Sequence, residues 1–254
     1  MRIHDALAGG NSLVCFVTAG DPPISQLPDI IGALNEGDAD LIEVGIPFSD
    51  PIADGPTIQA SSQRALDRGI RVDDIFEALA RTESKAPIVL MGYTNTAMRI
   101  GYERFAALAK KAGAAGVILS DLAPDDSGEW RAAAGRHGLD TIFLAAPTST
   151  DDRLREVAAA SSGFVYCVSR TGVTGADSQR GSDVGETVSR IRSFTALPIC
   201  VGFGVSTHEH VKSIWDCAEG AIVGSYLVSL LHDSWDDGRG RASFVSAVKA
   251  LKGA

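Results

Sequence analysis

Eight short apolar runs recur along the chain, separated by longer amphipathic stretches rich in Ala, Glu and Arg. The runs are Leu13–Thr18, Leu41–Ile46, Ile88–Met91, Gly116–Leu119, Thr141–Ala145, Phe164–Val168, Ile199–Val201 and Gly220–Val223. A run of strand length followed by a segment of helical period reads as a βα unit, and repeated βα units give a parallel sheet. Such a sheet needs helices over its faces. Eight units within 254 residues close most simply into a barrel, so the expected fold is α/β, a TIM barrel of (β/α)8 type covering 1–254 as one domain. Arg2–Ala8 reads as an extra N-terminal helix that covers the N-terminal end of the barrel. Leu27–Gly37 and Ile58–Arg68 read as helices, and Asp73–Arg81 as an additional short one.

Composition narrows the partners. A formal charge of −9 argues against a nucleic-acid backbone or an anionic membrane as a ligand. It also means that a bound phosphate must be held by local backbone dipoles and not by a basic field. The four cysteines, Cys15, Cys167, Cys200 and Cys217, form no C-x-x-C pair. Three of them sit in apolar runs, as small buried hydrophobes do. A reducing, cytoplasmic setting is expected. The N-terminal residues lack the pattern of a signal peptide, and no apolar run is long enough to span a bilayer. His208 and His210 form an H-x-H that reads as surface, since residues two apart on a helix do not face each other. No metal site is expected, and neither a Ser-His-Asp elbow nor a phosphate-binding G-x-x-x-x-G-K-[ST] is present.

Chemistry concentrates at the end of the second run. Glu43 stands inside an apolar strand, and the loop beyond it holds Pro47, Pro51, Pro56, Asp50, Asp54 and Gly55. A carboxylate in such a strand is paired with a cation, protonated or functional, because burying a bare charge costs several kcal/mol. Burial also raises a carboxyl pKa toward neutrality, which suits a general acid/base. Late in the chain, Gly202 and Gly204 follow the seventh run, and Gly224 and Ser225 the eighth. Glycines there let backbone N–H groups approach an anion at a helix N-terminus, where TIM barrels often hold phosphate; tight turns would use the same residues. The stretch from Arg170 to Gly185 is long and polar, as a lid or binding loop would be.

The residues Gly45–Gln59, G-I-P-F-S-D-P-I-A-D-G-P-T-I-Q, preceded by Glu43, resemble the signature of the tryptophan synthase alpha subunit family. F-V-T-A-G-D-P from Phe16 and Y-C-V-S-R-T-G-V-T-G-A from Tyr166 extend that similarity over nearly the whole chain. The resemblance implies a carbon–carbon lyase that cleaves indole-3-glycerol phosphate, by a retro-aldol reaction, to indole and glyceraldehyde 3-phosphate. It implies Glu43 as general acid/base and Asp54 as acceptor of the indole N–H. Gly175, Gly204, Gly224 and Ser225 would hold the phosphate, and Phe16, Leu90, Tyr93, Tyr166 and Phe203 would enclose the indole. For Phe16 the residues alone favour ordinary barrel core. Thr174 would close over the site toward Asp54, with Arg170 at the base of the mobile loop, where a solvated arginine is an equal reading. Asp121 caps a loop or faces a partner.

The resemblance further implies no cofactor in this chain and a PLP-dependent beta subunit as partner in an α2β2 assembly, met by Pro47, Phe48, Ser49 and Asp50. Thr96 and Ala123 depart from prolines usual in the family. Two alternatives stand beside this reading: a stand-alone lyase that releases free indole, and a silent barrel that only activates a beta subunit. The presence of both Glu43 and Asp54 argues against the second.

Overall fold

Eight parallel strands follow one another around a closed barrel: β1 (Ser12–Thr18), β2 (Leu41–Gly45), β3 (Ile88–Gly92), β4 (Ala114–Leu119), β5 (Asp140–Ala145), β6 (Val165–Val168), β7 (Ile199–Gly202) and β8 (Gly220–Val223), with β8 paired back onto β1. The structure is a computed structural model that describes residues 2–169, 180–202 and 204–253. Each strand falls within two residues of the run from which it was expected, because these runs are the only segments apolar enough to be covered on both faces.

The helices are α1 (Ile3–Leu7), α2 (Leu27–Glu36), α3 (Pro56–Asp67), α4 (Val72–Ala80), α5 (Thr94–Ile100), α6 (Tyr102–Lys111), α7 (Gly128–Arg136), α8 (Asp151–Ala160), α9 (Arg180–Arg192), α10 (His208–Trp215), α11 (Ser225–Ser234) and α12 (Arg241–Lys252). Thr150 and Thr207 cap α8 and α10, each accepting a backbone N–H from the first turn. No helix among the described residues is long and apolar enough to cross a membrane. One expectation is corrected: Arg180–Gly185, read as part of a loop, opens α9. Val184, Val188 and Ile191 recur at helical spacing and pack on the barrel. That burial offsets the cost of about 1 kcal/mol for each helical glycine.

Strand alternation divides the core into two layers. Outward residues such as Val17, Ile42, Val44, Leu90 and Val117 join the helices in one cluster. Inward residues such as Val14, Leu41, Val89, Ile118, Ile142 and Ile222 fill the barrel. Ile3 and Leu7 of α1, both fully buried, belong to this inner cluster and close its N-terminal end. Space for Ile3 comes from Gly116, where a Cβ would stand 2.8 Å from the Ile3 side chain. With the base sealed by α1, the opposite end of the barrel is the one left for a ligand.

Truncating this plug tests it. Ile3→Ala is expected to lower folding stability by about 2–5 kcal/mol, read as a shift in the urea midpoint, with kcat of the remaining folded chain unchanged. An unaltered midpoint would show that α1 does not close the core.

Candidate active site

The C-terminal ends of the strands surround a cavity of about 320 Å³, within the range of small-molecule sites. Phe16 of β1 and Tyr166 of β6 form part of its wall, with Met91, Leu144, Val168, Ile58 and Ile222. The two rings lie where they do because the neighbouring strands carry glycine beside them. A Cβ at Gly45 would stand 2.5 Å from the Phe16 ring, and one at Gly202 would stand 2.6 Å from the Tyr166 hydroxyl.

Glu43 lies one strand over from Phe16 and pairs with it in register. Its neighbours Ile42 and Val44 face the helices, so alternation turns Glu43 inward. It is fully buried, and neither carboxyl oxygen has a hydrogen-bond partner. Burial alone pushes its pKa up to about 8, so the group is protonated at neutral pH. Glu43 does not itself form the surface of the cavity; it sits beneath it. Its carboxyl and that of Asp54 both raise the pKa of the Tyr166 hydroxyl, after burial, the larger cause. Tyr166 therefore stays neutral among two acids.

Asp54 is on the cavity wall, in the loop between β2 and α3. Two anchors hold that loop. At its far end, α3 is fastened to the loop after β1: buried Asp21 accepts Arg64 at 2.6 Å and Arg68 at 2.9 Å, and the Thr18 and Ser61 hydroxyls meet at 2.7 Å. In its middle, the Tyr93 hydroxyl accepts the Ala53 N–H and donates to Asp54 Oδ2, each at 3.0 Å. Burial raises the Asp54 pKa, and the Tyr93 hydrogen bond opposes it.

Gly204, Gly224 and Ser225 line the far side of the cavity. Ser225 is the first residue of α11, with Gly224 at the preceding cap. The N–H groups and the positive end of this helix face a region with no carboxylate in its first turn. Gly204 has φ +70°, a conformation that favours glycine. Arg170, Thr174, Gly175 and Phe203 lie outside the described residues.

Three expected positions differ. Leu90 packs in the outer layer against the helices; the next residue, Met91, takes the cavity side, because adjacent strand residues point to opposite faces. Tyr93 is not a wall of the cavity: it stands behind Asp54. Pro47 is buried and presents little surface, whereas Phe48 is half-buried and Ser49 and Asp50 are exposed. The chain after β5 was given no role, yet Ala146 and Ser149 line the cavity; short residues there leave no sequence signal. Asp121 caps a loop, accepting the Thr94 N–H and hydroxyl at 2.7 Å each. His208 is half-buried and bonded through Nδ1 to the Leu251 carbonyl at 3.0 Å, so it is no free surface residue. Among the described residues no cluster of His, Cys, Asp or Glu has the makings of a metal site.

Large apolar side chains are exposed at two described positions, Ile52, 84% exposed, and Met98, 60% exposed. Both belong to the segments that follow β2 and β3. Beside them runs an outer groove of about 630 Å³, lined by Pro47, Phe48, Arg71, Arg99 and Arg104 among others. It is larger than the barrel cavity but away from Glu43 and Asp54, and it belongs to the rim.

A family model described as "Tryptophan synthase alpha chain" matches residues 5–252. A tryptophan synthase alpha chain of Geobacter sulfurreducens is 47% identical over 246 residues, spanning 95% of this chain and 93% of the relative. One of Burkholderia mallei is 41% identical over 252 residues, spanning 98% and 93%. Among solved structures, a chain of the tryptophan synthase α2β2 complex of Pyrococcus furiosus superposes with a TM-score of 0.90 at 38% identity, covering 96% of this chain and 99% of that one. A chain of aminoacrylate-bound tryptophan synthase from M. tuberculosis superposes with a TM-score of 0.88 at 34% identity, covering 99% and 98%.

The burial of Glu43 has a consequence for stability. Its pKa is about 8 in the folded chain against an ordinary 4.5. Between those values the native state keeps a proton that the unfolded chain releases, so stability falls as pH rises. Urea unfolding of wild type and Glu43→Gln across pH 4.5–8 is expected to show the wild type losing on the order of 4 kcal/mol relative to the variant. A difference that stays flat with pH would mean that Glu43 finds a partner.

Proposed function

The chain belongs to the tryptophan synthase alpha chain family, whose reaction is the lyase cleavage of indole-3-glycerol phosphate, and from that premise we propose how its own residues divide the work. Glu43 is the general acid/base and Asp54 the stabiliser of charge on the indole nitrogen. The observation that carries this reading is the pair of carboxyls set apart by environment: one sealed, protonated and without partners, the other on the cavity wall with a hydrogen-bond donor behind it.

The reaction breaks the bond between indole C3 and the adjacent glycerol carbon. Protonation of C3 by Glu43 makes the ring a leaving group and places positive charge on its nitrogen. Asp54 accepts the ring N–H and stabilises that charge in a site where water is excluded. The Glu43 carboxylate then takes the proton of the neighbouring hydroxyl, the carbonyl of glyceraldehyde 3-phosphate forms, and the C–C bond breaks. Glu43 ends as it began, protonated, so protons balance without an external base. For these transfers its carboxyl must swing up into the cavity, and this costs no hydrogen bond because none holds it. The steps are proton transfers and need no group carrier, so the chain is assigned no cofactor; PLP belongs to the partner's chemistry.

The start of α11, with Gly204 and Gly224, is the proposed phosphate seat. It supplies binding energy remote from the reacting bonds. Gly175 and Phe203 keep their expected parts in the phosphate and indole sites, and Thr174 and Arg170 theirs in the loop over them. Phe16, Tyr166 and Met91 enclose the indole. The family's beta subunit is the proposed partner, in an α2β2 assembly like that of the Pyrococcus furiosus protein. It would dock on Phe48 and Asp50 together with Ile52 and Met98, the last two being large apolar side chains that stand in water. A reducing, cytoplasmic setting belongs to the same reading, in which Cys15, Cys167 and Cys200 are small buried side chains.

Indole release by the purified chain, with and without a beta subunit, tests this. Glu43→Gln is expected to lower kcat about 10²–10⁴-fold, and Asp54→Asn about 10²-fold, with the partner raising wild-type turnover. Glu43→Gln that turns over like wild type would remove the assignment of Glu43. Wild-type turnover that ignores the partner would favour a stand-alone lyase.

A further inference from the structure

Phe48 and Tyr93 are stacked face to face, with ring centroids 4.8 Å apart and planes 17° apart. The same Tyr93 ring carries the hydroxyl that holds the Ala53 N–H and Asp54 Oδ2. Phe48 thus lies on one face of a ring from whose edge Asp54 hangs. Tyr93 is 3% exposed, and its neighbour Thr94 is tied twice to Asp121. The ring therefore has a fixed base at the end of β3 and three contacts to the β2–α3 loop, at Phe48, Ala53 and Asp54. That loop is exposed on its outer side at Ser49, Asp50 and Ile52.

A body that lands on exposed Ile52 and half-buried Phe48 bears on one partner of this stack. A stacked pair resists compression, because ring atoms at van der Waals distance cannot interpenetrate. Displacement of Phe48 must therefore move the Tyr93 ring or slide along it. Either motion changes the hydrogen bond at Asp54, where a small misplacement costs rate steeply. We propose that the Phe48–Tyr93 stack links the partner face to the active site, with Tyr93 as the positioning residue that sets Asp54. This rests on the roles given above to Asp54 and to the partner face.

The test uses the full chain and indole release, alone and with the beta subunit titrated to saturation for each variant. Tyr93→Phe keeps the stack and removes the hydroxyl; kcat is expected to fall about tenfold, with KM within twofold, since the cavity walls and phosphate seat are untouched. Phe48→Leu removes the stack; the ratio of kcat with partner to kcat alone is expected to fall to less than about a third of the wild-type ratio. Phe48→Tyr, which restores a stacking ring, should recover that ratio. Tyr93→Phe is expected to lower the ratio as well, and in the double variant Tyr93→Phe, Phe48→Leu the two losses in the ratio should not add, because both act through one ring. An unchanged ratio in Phe48→Leu at saturation overturns the proposal, as does an equal loss in Phe48→Tyr. A Tyr93→Phe effect on KM alone also overturns it. A wild type that releases no indole would remove the functional reading itself, and this link with it.

Discussion

Closure of the barrel is the constraint on which the other features rest. Once β8 pairs with β1, alternate residues of every strand are committed to an enclosed interior, and the rest to the layer beneath the helices. The interior is narrow, α1 seals one end of it, and the other end is left to the loops. Gly45 and Gly202 exist in this geometry as room for the rings of Phe16 and Tyr166. Those two rings in turn form part of the cavity wall.

Glu43 shows what closure does to a single residue. On an open surface it would be an ordinary carboxylate. Turned inward on β2, with apolar neighbours and no donor within reach, it is forced to keep its proton. The fold is less stable for it at neutral pH and above, and the same circumstance makes it an acid near the working pH. Asp54 stands instead at the cavity wall, with a hydroxyl donor behind it. Burial raises the pKa of both these chemically similar side chains, eleven positions apart in the sequence, but only Asp54 has a hydrogen bond that opposes the rise.

The loops were legible in proportion to how unusual their residues are. The proline- and carboxylate-rich segment after β2 and the glycine pairs after β7 and β8 announced themselves. Leu90 and Met91 did not: both are apolar, and only the pleat says which enters the cavity. Tyr93 was placed in the right neighbourhood, but its work as a bracket for the loop depends on the position of Ala53, forty residues away. Ala146 and Ser149 carry no chemical mark, so nothing short of the folded chain would bring them to the wall. The polar residues that open α9 read as loop, because Gly181 and Gly185 obscured the apolar spacing of Val184, Val188 and Ile191.

The sequence by itself determined the architecture and the chemical inventory. Eight apolar runs alternating with amphipathic helices admit few other solutions, since parallel strands must be covered and joined by crossovers, and a carboxylate in a strand has to be accounted for wherever it lies. Tertiary structure decided everything that depends on direction and environment: which of two adjacent apolar residues faces the cavity, that Glu43 lacks a partner, and that Tyr93 stands between Phe48 and Asp54. The reason is physical. Apolar periodicity and turn chemistry are local properties of the chain, whereas burial, hydrogen bonding and pKa are set by groups brought together from distant segments when the barrel closes.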